Sequence, residues 1–182
     1  MDALTLLLER TSTAQLQAPA PTGPELETIL QAGLRAPDHG GLHPWLFLLA
    51  QGGGLGRLGQ HLAKAAQQRG ESLDAIEKAT QAPLRAPLVI TVVAKVQHHP
   101  KVPALEQQLS AGCTVMAMQM AAQALGFGGI WRSGWFIFDR GLHQALGLSD
   151  EDQIVGFLYL GTPVGEAKRL RPLDSQAFVR QI

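Results

Sequence analysis

Arg10, Thr11 and Ser12 stand together after the first apolar run and offer a guanidinium, two hydroxyls and backbone N–H groups. Arg35 and His39 lie in RAPDHGGLHPW, residues 35–45, a joint that also holds Asp38, His43, two glycines and two prolines. The stretch GGIWRSG, residues 128–134, sets Trp131, Arg132 and Ser133 among turn glycines, and Lys168, Arg169 and Arg171 form a basic group further on. Guanidinium and N–H donors recognise oxyanions such as phosphate, and indole and guanidinium planes lie flat against aromatic rings. Each group alone reads as solvated charge or a cap. Together they can hold a phosphate at one end and a flat ring at the other.

Other chemistries find less support. Gly54-Leu55-Gly56-Arg57-Leu58-Gly59 matches G-x-G-x-x-G, with Asp74 downstream as a candidate ribose contact. No clean second strand follows within a unit of ~30 residues, so a turn leading into a helix is the simpler reading. A Rossmann-type NAD enzyme using Gly54–Gly59 is kept as a rival. His39 and His43 are four apart beside Asp38, but Pro37, Gly40, Gly41 and Pro44 oppose the helix that would align them, and no metal site is expected. His98 and His99 read as exposed loop. Cys113, the one cysteine, falls in an apolar helix and reads as an inert core thiol. No G-x-S-x-G elbow and no phosphate-cradling G-x-x-x-x-G-K-[ST] is present.

The elements that must position these groups follow from periodicity and punctuation. Residues 1–8 predict a short helix. Thr22, Gly23, Pro24 and Glu25 predict a helix start with a capping box, the helix running to about Leu34. WLFLLA, residues 45–50, reads as a buried strand, followed by a turn at 51–54 and a helix to about Arg69. A short helix is predicted over 72–79, a β-branched strand over 88–96, and a long helix over 103–125 ended by Gly126. A short extended piece at 127–131, a helix at 139–146 capped by Asp139, a strand at 153–160 and an irregular tail complete the chain. This pattern is α+β or α/β. The long helix has apolar side chains all round, including Leu109, Met116, Met118, Met120 and Leu125, which implies burial on every side. A central helix of one domain and a helix covered partly by a second copy explain that equally well.

Fifteen basic residues balance fifteen acidic ones, so nothing electrostatic argues for nucleic acid or an anionic membrane as partner. The longest apolar region, 111–125, is interrupted by Gln119 and Gln123 and reads as a buried helix rather than a membrane span. The N-terminal residues carry Asp2 and no basic n-region, and a lone cysteine suits a reducing compartment; a cytoplasmic location is expected. At 182 residues the chain is expected to form a single domain, residues 1–182.

Taken in order, these segments resemble the FMN-dependent nitroreductases, most closely their short YdjA-type branch. MDALTLLLERTS is similar to the opening helix and its R-R-S. LRAPDHGGLHPWLF is similar to A-P-S-x-x-N-x-Q-P-W, and APLVITVVAKV to a core strand. SAGCTVMAMQMAAQALGFGGIWRSG resembles the long dimer helix and flavin loop, and VGFLYLGTPVGEAKRLRPL the closing strand, G-x-P turn and basic tail. The resemblance implies an α+β fold, a central mostly antiparallel sheet flanked by helices, and a homodimer built on the long buried helix. FMN would lie at the subunit interface and carry the redox chemistry, with no side chain named as catalytic. Arg10, Thr11, Ser12, Trp131, Arg132, Ser133, Arg169 and Arg171 are then expected at FMN, and Arg35 and His39 at the FMN held mainly by the other subunit. Ala121, Ala122, Gln123, Ala124, Leu125 and Gly126 would border NADH or NADPH. A hydride would pass to a nitroaromatic, quinone or similar small acceptor by ping-pong kinetics; an FMN carrier or sensor without catalysis is the alternative. Thr11 stands where the family has a second arginine. Asp38, Gly41 and His43 replace Ser, Asn and Gln, and the longer helical excursion over the pocket is missing.

Overall fold

Residues 88–94 (LVITVVA) are buried at every position, as their β-branched side chains favour. They form the centre of the fold. In the computed structural model, which describes residues 2–165 and 170–182, the elements follow in this order. Helix α1 is Ala3–Glu9, strand β1 Leu16–Gln17, helix α2 Gly23–Gly33 and strand β2 Leu46–Gln51. Helices α3 (Gly53–Gln68) and α4 (Leu73–Gln81) come next, then a 3₁₀ turn at Ala82–Arg85 and strand β3 (Leu88–Ala94). Helix α5 is Ala104–Ala124, strand β4 Gly128–Arg132, helix α6 Arg140–Ala145 and strand β5 Gln153–Pro163.

Every strand pairing is antiparallel, in the order β1-β5-β3-β2, with β4 also on β5. The α+β expectation therefore stands and α/β falls. One face of the sheet packs on α3, α4 and α6 through Leu55, Leu58, Leu62, Ala65, Leu142, Val89, Phe157 and Tyr159. The other packs on α2 and α5 through Ile29, Val115, Met118, Ala122, Ile90 and Leu158. Two glycines set the helix spacing. A Cβ at Gly59 would stand 2.3 Å from the Thr80 carbonyl oxygen, and one at Gly33 would stand 2.9 Å from Met118 Cγ.

The structure departs from the sequence reading in several places. Thr22 caps α2 by backbone only; its hydroxyl makes no cap bond, and Pro24 in the first turn leaves one N–H fewer to satisfy. β2 is half-buried, with Leu49 exposed, because it lies at the sheet edge. Gly54 to Gly59 lie inside α3 rather than in a strand-to-helix turn, and β2 pairs antiparallel with β3. That removes the parallel βαβ unit a Rossmann site needs. β5 runs on to Pro163, where its end pairs with β1, so the tail begins later than expected. Helix α5 is not buried all round: Leu105 is 64% exposed, Leu109 60% and Met116 48%. Cys113 is exposed on the same stripe, so it is no core thiol. Among the described residues, these side chains stay open to solvent.

Candidate functional site

Helix α5 ends in a Schellman arrangement. Phe127 N–H donates to the Ala122 carbonyl at 2.9 Å, Gly126 N–H to that of Gln123 at 3.0 Å, and Gly126 takes φ +89°. The chain then enters β4 through Gly128 and Gly129. The Gly129 carbonyl accepts from Thr13 N–H at 2.9 Å and from the buried Gln119 Nε2 at 3.0 Å. Val164 N–H donates to Gln15 at 3.0 Å, which ties the end of β5 to the same loop. A side chain on Gly128 would meet Leu16 Cδ2 at 2.8 Å and one on Gly129 would meet Leu160 Cδ2 at 2.8 Å, so both glycines are needed for this approach.

These ties enclose a cavity of about 550 Å³, lined by Thr11 to Gln15, Gln123, Gly126 to Gly129 and Pro163 to Gly165. Its polar surface is hydroxyl, amide and backbone, with no charged side chain among the lining residues. Arg10, which precedes Thr11 in the chain, is the half-buried C-cap of α1 and is not one of the lining residues.

The expected site residues divide into groups. Thr11, Ser12, Gln123 and Gly126 line the cavity. Ala122 is buried against Ile29 and Met118 in the core and has no side-chain surface to offer; Ala121 is half-buried, and Ala124 and Leu125 are exposed. Trp131 is 42% exposed, its Nε1 donating to the Val155 carbonyl at 3.2 Å. Its indole lies where a Cβ on Gly156 would be, 1.9 Å from Nε1, and its Cη2 stands 3.6 Å from a Cβ built on Gly112 of α5. Arg132, next along β4, turns to the opposite face, with its guanidinium 5.5 Å from the Tyr159 ring centroid. Ser133 is exposed beside it and Arg171 is exposed. Arg169 and Lys168 lie outside the described residues.

The joint at residues 35–45 is elsewhere, against the N-terminal half of α5. Asp38 accepts from Leu42 N–H at 3.1 Å and His43 N–H at 2.8 Å. Ser110 Oγ donates to the Pro37 carbonyl at 2.7 Å, Gln97 Nε2 to that of Leu42 at 2.9 Å, and His39 Nδ1 meets Glu106 at 2.7 Å. Gly40, Gly41 and His43 all take positive φ. Much of the polarity there thus holds a tight loop in place. His39 and His43 have different partners, the second packing edge-on to Trp45. Arg35 and His39 remain exposed. From Ser110 to Gln123 along α5 is roughly 20 Å at ~1.5 Å per residue. Within one chain, the structure does not bring Arg35 and His39 to the cavity that Thr11 and Ser12 line.

Sequence reasoning missed Thr13, Gln15 and the 163–165 segment, which reach the cavity only through the short β1–β5 pairing. It also missed Gln107 and Gln119. Gln107 is buried and clamps the loop before α5 through Gln97 and Val102; Gln119 pins Gly129.

The sequence model of the nitroreductase family matches residues 7–162. The chain belongs to the nitroreductase family. YdjA of Escherichia coli (strain K12), a protein named as an NAD(P)H nitroreductase, is 55% identical over 163 residues, covering 90% of this chain and 89% of that protein. A nitroreductase-like protein of Bacillus cereus superposes with a TM-score of 0.87 at 20% identity, covering 100% of this chain and 96% of that one. A Desulfovibrio desulfuricans relative, crystallised in complex with FMN, gives 0.75 at 19% identity over 98% and 96% of the two chains. The fold is nitroreductase-like, and the family membership makes this nitroreductase an oxidoreductase in its coarse class. No helix among the described residues is long and apolar enough to cross a membrane.

Proposed function

We propose that this nitroreductase is an FMN-dependent NAD(P)H oxidoreductase that works as a homodimer in the cytoplasm, its single domain paired through α5. The observation that carries the reading is the division of the site along α5. Donor groups suited to a phosphate and a ring lie at one end, exposed Arg35 and His39 lie near the other, and an exposed apolar stripe of Leu105, Leu109 and Met116 runs along the helix. A second copy packed on that stripe would bury it and carry its own joint to the cavity.

The residues present fit FMN. The cavity has the size of a ligand pocket, within the usual ~300–1,000 Å³, and its donors are hydroxyls and N–H groups beside a glycine turn that leaves room for close approach. Thr11, Ser12 and Thr13 would hold the ribityl and phosphate end, with Arg10 and Arg171 supplying positive charge that Thr11 does not. Trp131, seated on Gly156, would present its indole and backbone along the ring, and Arg35 and His39 of a second copy would close the far side. When bound, the flavin supplies the chemistry of accepting a hydride from NAD(P)H and passing electrons to an acceptor. The chain's task is placement: Gln123 and Gly126 border the opening where the two substrates take turns, which gives ping-pong kinetics. Nitroaromatics and quinones suit an opening that no helical excursion among the described residues covers.

A visible spectrum of the purified protein tests this, followed by anaerobic NADH. Flavin absorbance that bleaches and returns on adding an acceptor is the expected result. Absorbance that never bleaches points to an FMN carrier, and protein that stays colourless after soaking with FMN ends the reading. Arg10→Ala should weaken FMN binding by about tenfold, the worth of one charge-assisted contact, measured by flavin fluorescence titration.

A further inference from the structure

Behind β4, on the face opposite Trp131, lies a second cavity of about 110 Å³ that shares no lining residue with the first. Arg85, from the 3₁₀ turn before β3, and Arg132, the last residue of β4, face it. Ser133 and the Tyr159 phenol add hydroxyl groups, and Leu62, Phe136 and Phe157 form an apolar floor. None of the ion pairs among the described residues involves either arginine. Arg132 Nε is buried without a hydrogen-bond partner, the only such side-chain atom among the described residues.

Leaving a buried donor unpaired is destabilising, and more so for a charged group. The Tyr159 ring under the guanidinium at 5.5 Å offers its π-face but no acceptor lone pair for that N–H. Burial pushes the Tyr159 phenol above its ordinary range, and Arg132 and Arg85 both pull it back, so both cations are felt at this one side chain. Arg85 is exposed at the rim, while the orphaned Arg132 Nε lies inside beside an apolar floor. An anion reaching in from the rim would satisfy the buried donor, and the floor favours one with a hydrocarbon tail. The space admits only a few heavy atoms, far less than a nucleotide or flavin.

We propose that the cavity bounded by Arg85, Arg132, Ser133 and Tyr159 binds a small carboxylate with a short apolar tail. The carboxylate accepts from Arg132 Nε and the Arg85 guanidinium, and the tail rests on Phe136, Phe157 and Leu62. No residue lining the main cavity takes part, and Arg132 and Ser133, which the family resemblance sets at FMN, line this second cavity instead. The site lies one residue along β4 from Trp131, so an occupant there bears on the strand that seats the indole.

Tyr159 is the only tyrosine of the chain, so protein carrying ¹³Cζ-tyrosine gives one reporter signal within the cavity. Butyrate added to the purified protein should shift that signal saturably with a Kd of about 1 mM, and neutral butyramide should not. Arg85→Met and Arg132→Met should each raise the Kd tenfold or more, with thermal melts confirming the folded state. A linear or absent response overturns the proposal, as does an equal response to butyramide or an unchanged Kd in Arg85→Met. Saturation by inorganic phosphate with none by butyrate also overturns it, in favour of a bare oxyanion site. The wild-type titrations decide the matter even where a variant fails to fold.

Discussion

Behind the sheet, α3, α4 and α6 bury Leu55, Leu58, Leu62 and Leu142 against Val89, Phe157 and Tyr159; in front, α5 buries Val115, Met118 and Ala122 but turns Leu105, Leu109 and Met116 to the outside. Both faces are built from the same residue types, so apolar composition does not separate them. Completion does. The rear layer buries most of its large apolar side chains within one chain, through contacts as close as Gly59 on Thr80. The front layer presents apolar area that costs free energy in water. The main cavity opens at the α5 end, so the unfinished side is also the side with the candidate chemistry.

Three substitutions test this contrast. The largest effect should come from the finished side. Gly59→Ala places a methyl 2.3 Å from the Thr80 carbonyl oxygen, where backbone on both sides resists movement. It should cost about 3 kcal/mol and lower the melting temperature by roughly 6–12 °C. Its folded fraction should keep the oligomeric state of wild type; a melt unchanged from wild type would show that the α3–α4 contact yields easily.

On the unfinished side, Leu109→Asp should leave the melt of the isolated chain nearly unchanged, since Leu109 touches mostly solvent there. It should weaken self-association by about a hundredfold, because each interface would desolvate a carboxylate. Sedimentation velocity at several concentrations reads this directly. Equal association of variant and wild type would place the dimer contact elsewhere.

The smallest effect concerns Asp152, only 1% exposed, which joins the rear layer to the strand ends. It accepts from Lys95 Nζ at 2.6 Å and Ser149 N–H at 2.9 Å. Burial pushes its carboxyl upward, but Lys95 and Ser149 outweigh burial and hold it below the usual 3.8. The folded value lies below the unfolded one, so the stabilisation is fully present above about pH 4 and fades as pH falls through the folded value. Asp152→Asn should lose about 2 kcal/mol at pH 7, and the gap to wild type should narrow at pH 3. Denaturant titrations at the two pH values check it; a constant gap would mean packing rather than charge.

Much of the framework was legible because it rests on local signals. The β-branched run read at 88–96, the Gly126 stop and the Asp139 cap needed no tertiary information, and Asp139 accepts from Leu142 N–H as expected. The Ser72 cap, whose Oγ accepts from Ala75 N–H, was not anticipated. Thr22 shows the limit: a capping sequence does not oblige the side chain to bond. The turn glycines and Thr11–Ser12 marked one wall of the main cavity, while its other walls needed the β1–β5 register, set by two residue pairs that no local pattern announces. The outward face of α5 was hidden for a different reason. Apolar residues all round a helix state that every side wants cover, and say nothing of whether one chain provides it. His143 was missed as well: it is buried, with Nδ1 facing the Asp139 carbonyl and Nε2 accepting from Ile154 N–H. Arg85 and Arg132 come together only through the sheet.

Gly156 sits beneath the Trp131 indole with no room for a methyl. The two positions are therefore one choice made twice. A lineage that trimmed the tryptophan would release the glycine to drift, and a lineage that kept it would hold residue 156 bare however freely the rest of β5 changed. Paired variation at these sites, rather than the identity of either alone, is the trace this seat would leave among descendants.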